Sequence, residues 1–94
     1  MIESPIEDWA CEQAEAAGWL VRKMSWVGRR NAPDRFFAKN GRVVLIEFKR
    51  PDGEPRSTQA KEIAALQAAG VTVYVADNPL AALRYLGVEY APAQ

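Results

Sequence analysis

Two ionisable residues lie at the end of the most apolar segment of the chain, which runs from Val43 to Phe48. Glu47 and Lys49 are two positions apart, so in a β-strand both side chains leave the same face of the sheet. Burying a carboxylate in such a strand costs several kcal/mol unless a cation compensates it. The pattern therefore indicates a functional site. The alternative is a strand end that emerges into solvent with a weak surface ion pair.

A second acid, Asp34, is placed to meet Glu47. An Asn40-Gly41 dipeptide lies between the two acids and is typical of a two-residue hairpin turn. If that turn centres the hairpin, Asp34 and Glu47 are cross-strand neighbours with Cβ atoms about 5 Å apart. Facing carboxylates repel each other, so either Lys49 or a divalent metal must lie between them. Oxygen ligands in a chain without histidine favour Mg²⁺ or Mn²⁺.

The elements that position these residues follow from apolar periodicity and capping residues. We predict a helix that Ser4 caps and Gly18 ends, strands over 19–27, 34–38 and 43–48, a helix over 57–69, a strand over 71–76 and a helix over 78–86. The apolar positions Ala60, Ile63, Ala64 and Leu66 of the second helix lie on one side. Short connections make the first three strands antiparallel, and the passage from 43 to 76 is a right-handed parallel crossover. The fold class is α/β, with a mixed four-stranded sheet flanked by helices in the order αβββαβα.

Composition and charge exclude several classes of protein. The chain has no histidine, which excludes a serine–histidine triad and a histidine zinc site. The single cysteine, Cys11, cannot form an internal disulfide. No apolar run is long enough to span a membrane, and the first residues lack a secretory pattern. We therefore expect a cytoplasmic protein. Net charge is zero, yet residues 22–61 carry eleven of the twelve bases against four acids. This segment is a candidate phosphate-binding face, and a solvated surface is the alternative.

The spacing of the two acids resembles a known signature. Pro33-Asp34, a gap of twelve residues and Glu47-Phe48-Lys49 resemble the motif of PD-(D/E)XK nucleases. The continuation narrows the resemblance to the stand-alone, phage-type VRR-NUC family, with similarity to archaeal-type Holliday junction resolvases: Phe48-Lys49-Arg50-Pro51, then Ser57-Thr58-Gln59, Gly70 and Val73-Tyr74-Val75. It covers roughly residues 3–87 and implies a restriction-endonuclease-like fold in a single domain over 1–94. A phage protein of this kind would act in the bacterial host cytoplasm.

The resemblance assigns a role to each matching residue. Asp34 and Glu47 would hold the metal, together with the backbone carbonyl of Phe48. Lys49 would orient the attacking water and stabilise negative charge on the phosphate. Gln59 would support the site or contact DNA, and its alternative is a first-turn helix residue that faces water.

Family members also carry a glutamate in the first helix, and Glu7 is the best match, with Glu3 as the weaker one. Glu7 would complete the metal shell directly or through water, or else serve only in a capping box with Ser4. Trp26 is either a base-stacking residue or simply packed. The candidates for phosphate contacts are Arg29, Arg30, Arg35, Lys39, Arg50 and Arg56.

The resemblance implies a metal-dependent endonuclease that hydrolyses DNA and leaves a 5′-phosphate. No base-reading motif is evident, so we expect selectivity for DNA structure. A homodimer that resolves Holliday junctions during DNA repair is the leading expectation, and a small core makes a dimer physically attractive. A nuclease for flaps or other branched DNA is one alternative, and a non-catalytic DNA-binding module is another. An enzyme acting on a different phosphate ester is disfavoured, because the chain has no Gly-rich phosphate loop.

Overall fold

The regular elements follow each other in the order that the sequence predicts. The computed structural model describes residues 5–49 and 57–89. Its elements are α1 (Pro5–Ala16), β1 (Leu20–Lys23), β2 (Arg35–Lys39), β3 (Arg42–Phe48), α2 (Ser57–Ala68), β4 (Val73–Ala76) and α3 (Pro79–Leu86). None of the described helices is long and apolar enough to cross a membrane.

The four strands form one mixed sheet in the order β1-β2-β3-β4. Neighbours among the first three strands are antiparallel, and β4 is parallel to β3. The apolar strand β3 is therefore an inner strand, as its run of β-branched residues indicates. The parallel pairing of β3 and β4 confirms the predicted crossover through α2.

The β2–β3 hairpin has the predicted turn and register. Asn40 and Gly41 both have positive φ, 51° and 81°, as the central residues of a type I′ turn require. Lys39 pairs with Arg42 next to the turn, and the same register continues without a bulge. One further step along this register places the chain at position 34 opposite position 47, as the sequence predicts.

The two faces of the sheet are covered by different helices. The larger core lies between the sheet and helices α1 and α3, and contains Phe37, Val44, Ile46, Ala14 and Leu83. A smaller cluster lies on the α2 face, where Leu45 and Val73 contact Ile63. Side chains of β3 thus alternate between two apolar layers, which explains why residues 44–47 are all buried.

Strand β1 is shorter than the sequence predicts, since it ends at Lys23 and the interval up to Asp34 is a loop. The backbone amide of Met24 donates to the carbonyl oxygen of Asp34 at 3.0 Å, and beyond that bond the chain leaves the sheet. Gly28 then takes a φ of 82°, which turns the loop back. The weak alternation of residues 19–27 was not sufficient to hold a longer strand.

Helices α2 and α3 begin and end near the predicted residues. The face that α2 buries differs from its apolar side. Ala60 and Ala64 are exposed, so only part of the apolar side is buried. The stripe that faces the sheet consists of Gln59, Ile63 and Leu66. Burying the larger Ile and Leu side chains gains more apolar contact than burying alanines. Helix α3 has the predicted cap, in which Asn78 accepts a hydrogen bond from the amide of Ala81.

Candidate active site

The carboxylate of Asp34 is fixed between strands β2 and β3. Asp34 directly precedes β2, rather than beginning it as the sequence predicts. Its Oδ2 atom accepts a hydrogen bond from the backbone amide of Phe48 at 2.8 Å. This bond holds the acid of the first motif against the strand that carries the second motif. Residues fourteen positions apart in sequence therefore meet at one point.

Glu47 and Lys49 lie side by side on the α2 face of the sheet. The Nζ atom of Lys49 is 3.4 Å from the Oε2 atom of Glu47. Glu47 is only 5% exposed, and the side chain of Lys49 is 16% exposed. The backbone amide of Lys49 donates to the carbonyl oxygen of Ala76 at 2.8 Å, so the residue is anchored to β4. The alternative of a solvent-exposed surface pair is therefore wrong.

The environment of Glu47 opposes its ionisation. Burial raises the pKa of Glu47 above its ordinary value of 4.5, and the neighbouring charge of Asp34 raises it further. Lys49 and a hydrogen bond from Gln59 act in the opposite direction and lower it. The balance is a raised pKa, because the cationic neighbour does not fully offset burial and the second carboxylate. Additional positive charge beside Glu47 would therefore favour its ionised form.

Gln59 connects helix α2 to this site. Its Oε1 atom accepts a hydrogen bond from the Nζ atom of Lys49 at 2.6 Å. Gln59 is 6% exposed although it lies in the first turn of α2, so the alternative of a residue that faces water is wrong. The short bond fixes the direction of the lysine ammonium group. Gln59 is thus a positioning residue for Lys49.

The donor set is suited to a hard divalent cation. The Oε1 atom of Glu47 is buried and has no hydrogen-bond partner among the described residues. A buried carboxylate oxygen without a partner is costly, and a cation bound by Glu47 and Asp34 would satisfy it. Carboxylate oxygens favour Mg²⁺ or Mn²⁺ over softer metals. The backbone carbonyl of Phe48 stays a predicted further ligand.

Glu7 takes a different position from the two strand acids. Its Oε2 atom accepts a hydrogen bond from Nε of Arg35 at 2.5 Å, and both side chains are largely buried. Arg35 also reaches Asp8 at 3.4 Å. Within residues 5–49 and 57–89, no group of three or more acids, cysteines or histidines is arranged to hold a metal. The structure therefore does not bring Glu7 together with Asp34 and Glu47, and Glu3 and Ser4 lie outside the described residues.

The candidate DNA-contacting residues are dispersed. Arg29 and Arg30 are exposed in the β1–β2 loop, and Arg29 forms an ion pair with Glu62 at 3.0 Å. Arg35 is engaged with the two acids of α1. Arg50 and Arg56 lie outside the described residues. Contacts of these side chains with DNA remain predictions.

Lys39 lies at the opposite end of the sheet from Glu47. Its Nζ atom donates to the carbonyl oxygen of Ala17 at 2.5 Å, beyond the end of α1. It lines a cavity of about 330 Å³ together with Trp19, Arg42 and Leu86. Neither Asp34 nor Glu47 lines that cavity, so it is separate from the candidate active site.

Trp26 is half-buried in the β1–β2 loop. Its Nε1 atom is buried and has no hydrogen-bond partner in the described part of the chain. The buried indole nitrogen favours packing, and base stacking by the ring stays a prediction. One contact of this loop was missed by sequence reasoning, namely the ion pair of Arg29 with Glu62. No local sequence pattern links these two residues, which are 33 positions apart.

Comparisons with known proteins agree with the motif and the fold. No family model matches the chain. The chain is 35% identical over 77 residues to p44 of Acyrthosiphon pisum secondary endosymbiont phage 1, a protein whose name describes it as a nuclease. The match covers 81% of this chain and 83% of that protein.

A solved structure described as a VRR_NUC domain superposes with a TM-score of 0.80 at 29% sequence identity. The superposition covers 90% of this chain and 94% of that structure. The observed αβββαβα order and mixed sheet are those of a restriction-endonuclease-like fold. On the motif, the fold and these two similarities, the chain belongs to the VRR-NUC family of PD-(D/E)XK nucleases.

Proposed function

We propose that this nuclease hydrolyses phosphodiester bonds in branched DNA, with Mg²⁺ or Mn²⁺ held by Asp34 and Glu47. The observation that carries the proposal is the buried Oε1 atom of Glu47, which has no hydrogen-bond partner among the described residues and lies beside a second carboxylate. A purely structural domain has no evident reason to bury this arrangement. When bound, the metal would polarise a phosphoryl oxygen and lower the pKa of a water molecule.

Asp34, Glu47 and Lys49 would perform the other parts of the reaction. Asp34 and Glu47 fix the position at which the phosphate is bound, and both come from strand ends that the sheet holds rigidly. Lys49 has three N–H donors, of which one bonds Gln59 and another faces Glu47. The third is available to a phosphate oxygen, where it stabilises the charge that develops during hydrolysis. Lys49 also orients the attacking water in this proposal.

We further propose that the protein acts as a homodimer on four-way DNA junctions. Two copies present two active sites, which suits two symmetric cuts across a Holliday junction. An exposed apolar row supports association: Leu20, Ala38 and Val43 lie side by side across three strands. Leu20 is 46% exposed and Val43 is 44% exposed. A second copy of the chain that packs on this row would remove these side chains from water.

The test is a cleavage assay on four substrates of matched sequence: a four-way junction, a flap, a splayed duplex and a linear duplex, each with Mg²⁺ or Mn²⁺. We expect the junction to be cut fastest, and removal of the metal with a chelator to stop cutting. Preference for the flap would favour the flap-nuclease alternative. Equal cutting of all four substrates would contradict selectivity for branched DNA, and sedimentation of the free protein as a monomer would contradict the dimer.

The variant Lys49→Ala separates an enzyme from a DNA-binding module. Loss of transition-state stabilisation should lower the cleavage rate by about 100-fold or more while DNA binding changes little. The matched control is Lys61→Ala, which removes an exposed lysine from α2. If Lys49→Ala cleaves as fast as the parent, the proposed mechanism fails.

A further inference from the structure

The loop between β1 and β2, residues 24–34, places an apolar side chain fully in solvent. Val27 at its tip is completely exposed. The other large apolar side chains that are exposed in the described ranges keep no more than 46% exposure. A fully exposed valine gains nothing for the fold, since burial of apolar area is the main source of stability. Its exposure leaves the side chain free to contact a partner molecule.

The loop is anchored on the active-site side of the sheet. At its base, the amide of Met24 donates to the carbonyl oxygen of Asp34 at 3.0 Å. Met24 also packs with the cluster beneath α2. Nearer the tip, the Nη2 atom of Arg29 bonds the Oε1 atom of Glu62 at 3.0 Å, three positions after Gln59 on α2. The loop thus joins the first metal-site acid to the helix that positions Lys49.

The conformation of the tip is specific. Gly28 has a φ of 82° and Asn31 has a φ of 74°. Left-handed backbone costs little for glycine, but a non-glycine residue held there is strained by about 1 kcal/mol or more. A Cβ atom added at Gly28 would meet no atom within 4 Å, so the tip stands clear of the rest of the protein. Val27 is therefore presented by a defined turn.

The charge around the tip matches a polyanion. Lys23 precedes the loop, and Arg29 and Arg30 follow Val27, while positions 24–33 contain no acid. The side chain of Arg29 is 68% exposed despite its pairing with Glu62. The Glu62 side chain is only 13% exposed, but the guanidinium of Arg29 is open to solvent and can contact a phosphate. An apolar tip flanked by arginines is the combination that nucleic-acid-binding proteins insert between base steps.

We propose that Val27 is a wedge that enters the base stack at a DNA branch point while the arginines beside it hold the flanking phosphates. This inference rests on the proposed function and names the element that recognises the branch. Unstacking costs least where stacking is already interrupted, as at a junction. The wedge would therefore favour branched DNA over continuous duplex. The anchors on Asp34 and α2 would place the inserted side chain next to the scissile phosphate.

The test uses the full chain and a four-way junction with 2-aminopurine at the branch point, whose fluorescence rises when the base is unstacked. The variant is Val27→Asn, and the control is Leu80→Asn, which changes an exposed leucine on α3 over the other face of the sheet. We expect the parent and the control to raise the fluorescence. Val27→Asn should lose that rise and bind the junction about tenfold more weakly, so that its junction affinity approaches that for linear duplex.

Three results would overturn the wedge. The first is a full fluorescence rise with Val27→Asn, and the second is junction affinity equal to that of the parent. The third is a shift of the free Val27→Asn protein from dimer to monomer in sedimentation, which would place Val27 in a contact between subunits. These results are separable from a failure of the proposed function, because binding and fluorescence are measured without cleavage. A parent that cuts none of the four substrates with either metal would refute the proposed function alone.

Discussion

Lys49 at the end of β3 and Gln59 in the first turn of α2 are joined by a hydrogen bond of 2.6 Å between Nζ and Oε1. The bond links the end of β3 to α2, and it limits the directions in which the ammonium group of Lys49 can point. It also removes two polar groups from competition with water at a largely buried position. The orientation of Lys49 therefore depends on a helix that comes after it in sequence.

Replacing Gln59 with alanine should lower kcat about tenfold and leave KM nearly unchanged, because Gln59 orients Lys49 without holding DNA. Steady-state cleavage of a junction substrate measures both constants. The control is Gln67→Ala, which removes the hydrogen bond to the carbonyl oxygen of Val73 at the other end of α2. A large rise in KM for Gln59→Ala would show that the side chain contacts DNA instead.

Glu47→Gln should make the metal-free protein more stable near pH 8 by about 1–2 kcal/mol, since it removes a buried charge that lacks a full complement of partners. The pKa of Glu47 is raised above 4.5 in the folded state, so the folded chain binds its proton more tightly than the unfolded chain does. The contribution of Glu47 to the free energy of unfolding is therefore greatest below pH 4.5, and it is lost as the pH rises through the raised pKa.

Urea unfolding of the parent and Glu47→Gln across this pH range measures the difference, with exposed Glu89→Gln as the control. The two stabilities should converge on acidification. Saturating Mn²⁺ should stabilise the parent and leave Glu47→Gln unaffected. Equal stabilisation of both proteins by Mn²⁺ would remove Glu47 from the proposed metal site.

The ion pair between Glu7 and Arg35 should be a strong structural contact. Glu7→Gln removes the closer of the two acids that Arg35 contacts while Asp8 stays at 3.4 Å, so it should lower the free energy of unfolding by about 2 kcal/mol. Arg29→Ala breaks the pair with Glu62 at its exposed arginine, and it should lower the free energy of unfolding by less than about 1 kcal/mol. Denaturant unfolding measures both. The affinity for Mn²⁺, measured by calorimetry, should not change in Glu7→Gln, and a clear loss of affinity would restore Glu7 as a metal ligand.

Cys11 should react slowly with alkylating reagents. Burial raises the pKa of its thiol to about 11; the charge of Arg35 lowers this pKa, and Glu7, Asp8 and Glu15 raise it. Little thiolate is present at pH 8, and Cys11 is 5% exposed. Iodoacetamide labelling followed by mass spectrometry should be slow in the native protein, faster as the pH approaches 11, and fast in guanidinium chloride. Fast labelling of the native chain at pH 8 would show that α1 opens readily.

Arg30→Ala should weaken DNA binding uniformly across sequences and reduce the slope of log K against log salt by about 1. Arg30 is exposed in the loop that carries Val27, so its loss should remove one of the predicted phosphate contacts. Fluorescence anisotropy at several salt concentrations measures the slope. Arg84→Ala is the matched control, since Arg84 is an exposed arginine near the end of α3. An equal effect of both substitutions would indicate a diffuse charge effect rather than a contact by Arg30.

Much of the fold was predictable because it depends on local signals. The Asn40-Gly41 turn fixes the hairpin register, and register alone brings Asp34 opposite Glu47. The order of elements followed from apolar periodicity and from caps such as Asn78. The limits of β1 were harder to predict, because a strand ends where its partner ends, and that partner lies elsewhere in the chain.

The sequence by itself determined the identity of the three central residues and the strand register that joins them, since alternation and turn geometry act over a few neighbouring positions. Only the tertiary structure decided that Arg35 pairs with Glu7 and that Gln59 is buried against Lys49. It also decided that Val27 stands alone in solvent. These outcomes depend on how helices pack on the two faces of the sheet. Packing is set by the summed contacts of distant segments, which no local pattern encodes.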